Sequence, residues 1–250
     1  MRFSTKRVDD DDIPVGATQF GGNPDLPVGV EWPSLSAELG GKPLSFIAQL
    51  DLAEIAAVAP SLPVPKTGHL SFFYDADGWL GNASADDTST WRVLHLPQGA
   101  NLRRIKDEVE RENGLHPCLV EISPSWSIPS VWSIVPPDLE LPDEEKDNYF
   151  ALAAELSAPA GQLLGYANEI QGPIEEDAAS MSGDIRRTGK QGLKSVREAQ
   201  AKRWRLLFQL DSDDELDVMW GDAGMIYYAI RREDLAAAKF DETMLTFQCS

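Results

Sequence analysis

The residues best suited to chemistry lie near the C-terminal end of the chain. Asp211-Ser212-Asp213-Asp214-Glu215-Leu216-Asp217 sets carboxylates at alternate positions, and Asp222 follows. Alternating oxygen donors suit a hard divalent cation such as calcium or magnesium. In that reading Asp211, Asp213, Glu215, Asp217 and Asp222 hold the ion, and the protein is a metal-assisted hydrolase or related enzyme. Against it stands Leu216, at the sixth position, where a calcium loop needs glycine for its sharp turn. A solvated acidic turn accounts for the same residues without any ion.

Other catalytic sets are weaker. Asp222 follows Trp220-Gly221, so an aromatic neighbour could desolvate it and raise its pKa. Asp25 and Glu31 would have to approach it from the other end of the chain to make an acid–base pair. His116 and Cys118 are two apart and cannot by themselves form a nucleophile–base relay. The three histidines show no zinc-ligand spacing, and no glycine-rich stretch matches a phosphate loop. A binding role needs less. Asn23, Asp25, Trp32, Trp220 and Asp222 fall at loop ends, where ligands usually bind, and could edge a groove.

The elements that must position these residues repeat. Phe46-Ile47-Ala48-Gln49-Leu50-Asp51 leads to Gly68 and the apolar run His69–Tyr74. Leu206-Leu207-Phe208-Gln209-Leu210-Asp211 leads to Gly224 and the apolar run Met225–Ile230. Such self-similarity predicts an α+β fold of mostly antiparallel sheets, an internal duplication of a β-rich half with short connecting helices. Gln49, Asp51, Gln209 and Asp211 are then the structural repeat. The expected organisation is an acidic N-terminal arm over 1–12 and a single domain over 13–250, with halves of about 13–142 and 143–250. Strands are expected at 44–50, 69–74, 91–96, 117–122, 203–210, 216–220, 224–230 and 243–248. Helices are expected at 52–59, 101–112, 143–157 and 193–202, the first opened by Asp51 and Glu54 as a capping box.

Composition narrows the function classes. The chain has 250 residues and a formal charge of −19, which repels phosphate backbones and anionic lipid surfaces, so neither nucleic acid nor membrane is an expected partner. One stretch runs the other way: between Arg186 and Arg205 lie eight basic residues against Glu198 alone, suited to an acidic partner or a phosphorylated ligand. Two cysteines make no disulfide framework, and no apolar segment resembles a signal or a membrane span. A cytoplasmic location follows as the expectation.

The run Gly21-Gly22-Asn23-Pro24-Asp25-Leu26-Pro27, then Glu31-Trp32-Pro33 and Pro43–Asp51, resembles the opening of the YwqG-like family, a bacterial domain of unknown function. The closing run Phe208–Asp214, Met219–Gly224 and Gln248-Cys249 resembles its C-terminal end. The resemblance implies a duplicated α+β fold and supplies no catalytic residues. The expected function is therefore a non-enzymatic binding or interaction module using a groove between two halves. It would need no cofactor, and its partner would be a protein or small molecule. A salt-sensitive cap for a basic partner is a further possibility.

Overall fold

The computed structural model describes residues 1–78, 88–106, 115–130, 142–156, 160–184 and 194–249. Twelve strands form: β1 (Arg2–Arg7), β2 (Gln19–Phe20), β3 (Asp25–Pro27), β4 (Ser45–Asp51), β5 (His69–Tyr74), β6 (Trp91–Leu96), β7 (Leu102–Arg104), β8 (Cys118–Ser123), β9 (Gly161–Leu163), β10 (Trp204–Asp211), β11 (Met225–Arg231) and β12 (Met244–Gln248). The helices are α1 (Leu52–Val58), α2 (Asp143–Leu156), α3 (Ile174–Met181), α4 (Lys194–Ala201) and α5 (Arg232–Ala236). Ten strands make one sheet in the order β12-β11-β10-β9-β1-β8-β2-β4-β5-β6, and β3 pairs with β7 separately. Every pairing is antiparallel.

The sheet curls until its edges meet, giving a nearly closed, barrel-like form. The Trp91 indole on β6 donates to the Thr243 carbonyl beside β12 at 2.9 Å, and the His95 and Phe240 rings lie 5.2 Å apart. Alternate residues of each strand point inward, so Phe3, Phe20, Phe72, Phe208 and Tyr228 meet in the middle. Their ring centroids are 4.7 to 6.2 Å apart, with edge-to-face and tilted geometries that aromatic pairs favour. The interior is a packed core.

This architecture corrects the expected α+β fold built from a duplicated half. The sheet is continuous, and the few short helices only cover its connections. Strand β1 lies between β9 and β8, so the strands that follow residue 142, β12-β11-β10-β9, and those that precede it, β1-β8-β2-β4-β5-β6, lie side by side as two blocks of one sheet. Residues 2–7, expected as part of an acidic arm, are that central strand. Only Phe3 of the six is buried, which is why the segment reads as polar.

Local expectations divide. Strands at 69–74 and 91–96 form as expected. The 216–220 segment forms only an isolated bridge, Asp213 with Val218. Leu102–Arg104 is a strand where a helix was expected, and the remainder of that helix lies largely outside the described residues. Asp51 caps α1, its carboxylate accepting from the Ala53 N–H at 2.8 Å, whereas Glu54 turns away to accept from the Thr18 N–H at 3.3 Å. The capping box is therefore half made.

Among the described residues no helix is long and apolar enough to cross a membrane.

Candidate functional site

The sequence-predicted site residues fall into separate neighbourhoods. Asp25 is fully buried and takes a two-pronged contact from Arg104, Nε to Oδ1 at 3.0 Å and Nη2 to Oδ2 at 3.1 Å. It also accepts from the Gly16 N–H at 2.8 Å and from the Gln49 amide at 3.2 Å. Asn23 sits beside it, bonded through its backbone N–H and side-chain amide to Asp10. These are groups saturated by one another, anchoring the N-terminal loop.

Trp32 donates its indole N–H to the Leu44 carbonyl at 2.7 Å and packs edge-on to Phe73 at 6.0 Å, in a small outer cluster. Trp220 packs on Tyr74 at 6.0 Å, within the main core. Phe73 and Tyr74 are consecutive on β5 and point to opposite faces of the sheet. The two tryptophans therefore do not edge one groove, and Asp222 stands exposed on the turn after Trp220.

The acidic run is spent on local contacts. Asp213 accepts from the Thr5 hydroxyl at 2.9 Å and from the Leu216 N–H at 3.0 Å. Glu215 accepts from the Arg7 N–H at 2.9 Å, and Asp217 lies 3.2 Å from His116 Nε2. The run clasps β1 in place. Asp211 caps no helix; its carboxyl is pushed up to about 6, first by burial and then by Asp213. Among the described residues no group of three or more His, Cys, Asp or Glu side chains is arranged to hold a metal ion. Cys118 is buried on β8, and burial pushes its thiol up to about 12, which leaves no thiolate at neutral pH.

Gln49 and Gln209 do closely similar work. Each lies two residues past a β-bulge, and its Oε1 accepts the backbone N–H of a loop residue, Asp25 at 3.1 Å and Asn168 at 3.0 Å. Their strand partners Gln19 and Gln162 donate to the carbonyls of Asn23 and Tyr166 at 2.7 and 2.8 Å. Between partner and loop the backbone turns left-handed, at Gly21 with φ 63° and at Leu164 with φ 56°. At Gly21 a Cβ would stand 2.2 Å from the His116 carbonyl, so only glycine fits. Buried glutamines thus stake loops to the sheet.

One of those staked loops builds the pocket. Gln248, buried on β12, accepts from the N–H groups of Ile170 and Gln171 at 2.9 and 3.0 Å and donates to the Gly172 carbonyl at 2.8 Å. The Tyr227 hydroxyl donates to the Asn168 carbonyl at 2.8 Å. Glu169 lies inside this pinned stretch. Its Oε1 accepts from the Ile174 N–H at the start of α3 at 3.1 Å, and its Oε2 accepts from the Ser130 hydroxyl. Burial pushes its carboxyl up to about 7; the Ser130 and Ile174 donors oppose the shift, and Glu175 adds to it. The Glu175 carboxyl is raised as well, again first by burial. Two carboxyls this close favour holding a proton between them.

The cavity beside Glu169 has a volume of about 90 Å³. Ser127–Ser130 form one wall, α2 contributes Tyr149, Phe150, Ala153 and Leu156, and Tyr166–Glu169 close it. The Ser127 hydroxyl accepts from the Tyr166 N–H at 2.9 Å and Tyr149 donates to the Pro129 carbonyl, joining the walls. Phe150 and Tyr166 are 54% and 51% exposed, and Trp126, next to Ser127, is 83% exposed. An aromatic rim therefore surrounds a polar floor whose ionisable group is Glu169. Nothing in the sequence flags Glu169. Its surroundings come from four distant segments, and only the apolar spacing of α2 hinted at a surface to be covered.

The chain belongs to the family described as a domain of unknown function (DUF1963), whose model matches residues 18–249. No curated protein matches the chain.

Proposed function

We propose that the protein is a non-enzymatic binding module that takes a small cationic group, a primary amine or guanidinium on a short apolar stem, in the pocket beside Glu169. The observation that carries this reading is the carboxyl itself, held by Ser130 and Ile174 at the floor of an aromatic-walled cavity. A carboxylate has about four lone-pair positions, and these two donors occupy two. Among the described residues no arginine, lysine or histidine lines the cavity to neutralise it. Tyr149, Phe150 and Tyr166 supply ring faces of the kind that attract cations, and the charge of −19 draws cations toward the molecule. A cavity of about 90 Å³ suits a group the size of one side chain.

The binding role is the one drawn from the sequence, at a different place: Asn23 is bonded to Asp10 and Asp25 to Arg104, and Trp32 and Trp220 lie in different clusters. The narrower YwqG-like membership and a cytoplasmic setting belong to the same proposal. They are supported by the end motifs, whose Gly21 and Gln49 shape a loop, and by two free cysteines.

Thermal unfolding at pH 8 with n-butylammonium, against n-butanol as a neutral control, tests the site. Tens of millimolar amine should raise Tm by about 2 °C or more in the wild type, by mass action on the folded state. E169Q should show no such rise. An equal rise in E169Q, or none in the wild type, overturns the assignment.

A further inference from the structure

Arg205 is an arginine without a counter-charge. It lies half-buried on β10, and its Nε is out of solvent with no hydrogen-bond partner. Among the described residues its guanidinium makes no ion pair. Its basic neighbours are treated differently. Arg231 lies 2.9 Å from Asp184 and 3.3 Å from Asp234; Arg203 pairs with Glu233; Arg197 lies 3.7 Å from Glu176. The fold supplies carboxylates to those arginines and, among the described residues, none to this one. Leaving a desolvated donor of a charged group unpaired costs more than a neutral one would.

The surroundings make the omission sharper. Arg205 pairs across the sheet with Ile230, and Arg232 opens α5 two residues beyond it. The Arg232 Nε donates to the Lys202 carbonyl at 3.1 Å, and the charge of Arg232 acts on Arg205. Burial and that like charge both lower the Arg205 pKa, while the Tyr166 phenol on the pocket rim works the other way. Like charges drawn together at a half-buried position are what an oxyanion would relieve.

We propose that Arg205 and Arg232 form an oxyanion subsite, for a carboxylate or a phosphate group, where the start of β10 meets the start of α5. The planar guanidinium of Arg205 offers a fork that matches either anion, and an anion placed there removes the repulsion from Arg232. The subsite is separate from the cation reading of Glu169, because a simple anion can fill it with the Glu169 cavity empty.

The test uses the full chain, with inorganic phosphate and acetate as separate probes, each in a chloride background of matched ionic strength. In the wild type at least one anion should raise Tm in a saturable way. The stronger probe identifies the source: phosphate for a phosphorylated ligand, acetate for a carboxylate. R205M keeps the apolar stem and removes the charge. It should unfold at a higher temperature than wild type in chloride alone, and its Tm should not respond to either anion. E169Q should keep the anion response, which separates this subsite from the amine site. Absence of any saturable shift in the wild type, or a shift retained in R205M, overturns the proposal.

Discussion

Glu169 is the residue on which the proposed cation site turns, and its environment dictates how stability depends on pH. Its carboxyl titrates at about 7 in the folded chain against an ordinary value of 4.5. Between those two values the folded state binds more protons than the unfolded state, so stability falls as pH rises through this window. Above pH 7 the folded chain carries the full penalty of a buried carboxylate. The groups facing it are Glu175 on α3, the Ser130 hydroxyl and the Ile174 N–H; nearby Tyr227, bonded to the Asn168 carbonyl, has its phenol held high first by burial and then by carboxylates including Glu169. E169Q removes the penalty. Urea unfolding should find E169Q more stable than wild type by on the order of 2 kcal/mol at pH 8 and nearly equal at pH 4. A variant weaker than wild type at pH 8 would show that the carboxylate is the favoured form.

At the scale of elements, buried glutamines determine where the loops lie. Q248A removes the acceptor of the Ile170 and Gln171 N–H groups and the donor to Gly172. It should cost about 2–3 kcal/mol in urea unfolding, since two backbone donors lose their partner. Amide exchange should accelerate at Ile170 and Gln171 before it does on β10. An unchanged exchange pattern would mean that α3 alone holds the loop. The elements themselves were legible where a segment is a short, mostly apolar run: His69–Tyr74, buried on both faces, and Trp91–Leu96, more buried on one, read as strands and are strands. Strands β2 and β9 escaped because two or three residues carry no period. The repeat around Gln49 and Gln209 was visible, yet it misled about architecture, because similar strands can lie in one sheet as readily as in two halves. The site was not legible. Glu169, Ile174 and Glu175 are close in sequence, but Ser130 and α2 reach them only through folding, and no spacing announces that.

The whole molecule depends on its first residues. Strand β1 joins β8 on one side and β9 on the other, places Phe3 against Phe20 and Phe208, and is clasped by Asp213 and Glu215. Deleting residues 1–8 removes a central strand, and the remaining chain should show no cooperative thermal transition. A truncated chain melting like wild type would show that β1 contributes nothing to the cooperative fold. The nearly closed sheet also explains why this pocket lies outside the barrel: the interior is filled by packed rings, and the cavity forms in the loop-and-helix layer.

The cation-binding claim is tested most directly by calorimetric titration of n-butylammonium into the protein at pH 6 and pH 8.5, repeated in buffers of different ionisation enthalpy. A cation that pairs with Glu169 must displace its proton when the carboxyl is still protonated. The account predicts weaker binding at pH 6 with a proton released to the buffer, tighter binding at pH 8.5 with almost none released, and loss of both in E169Q. Binding with the same affinity and no proton release at both pH values would contradict it.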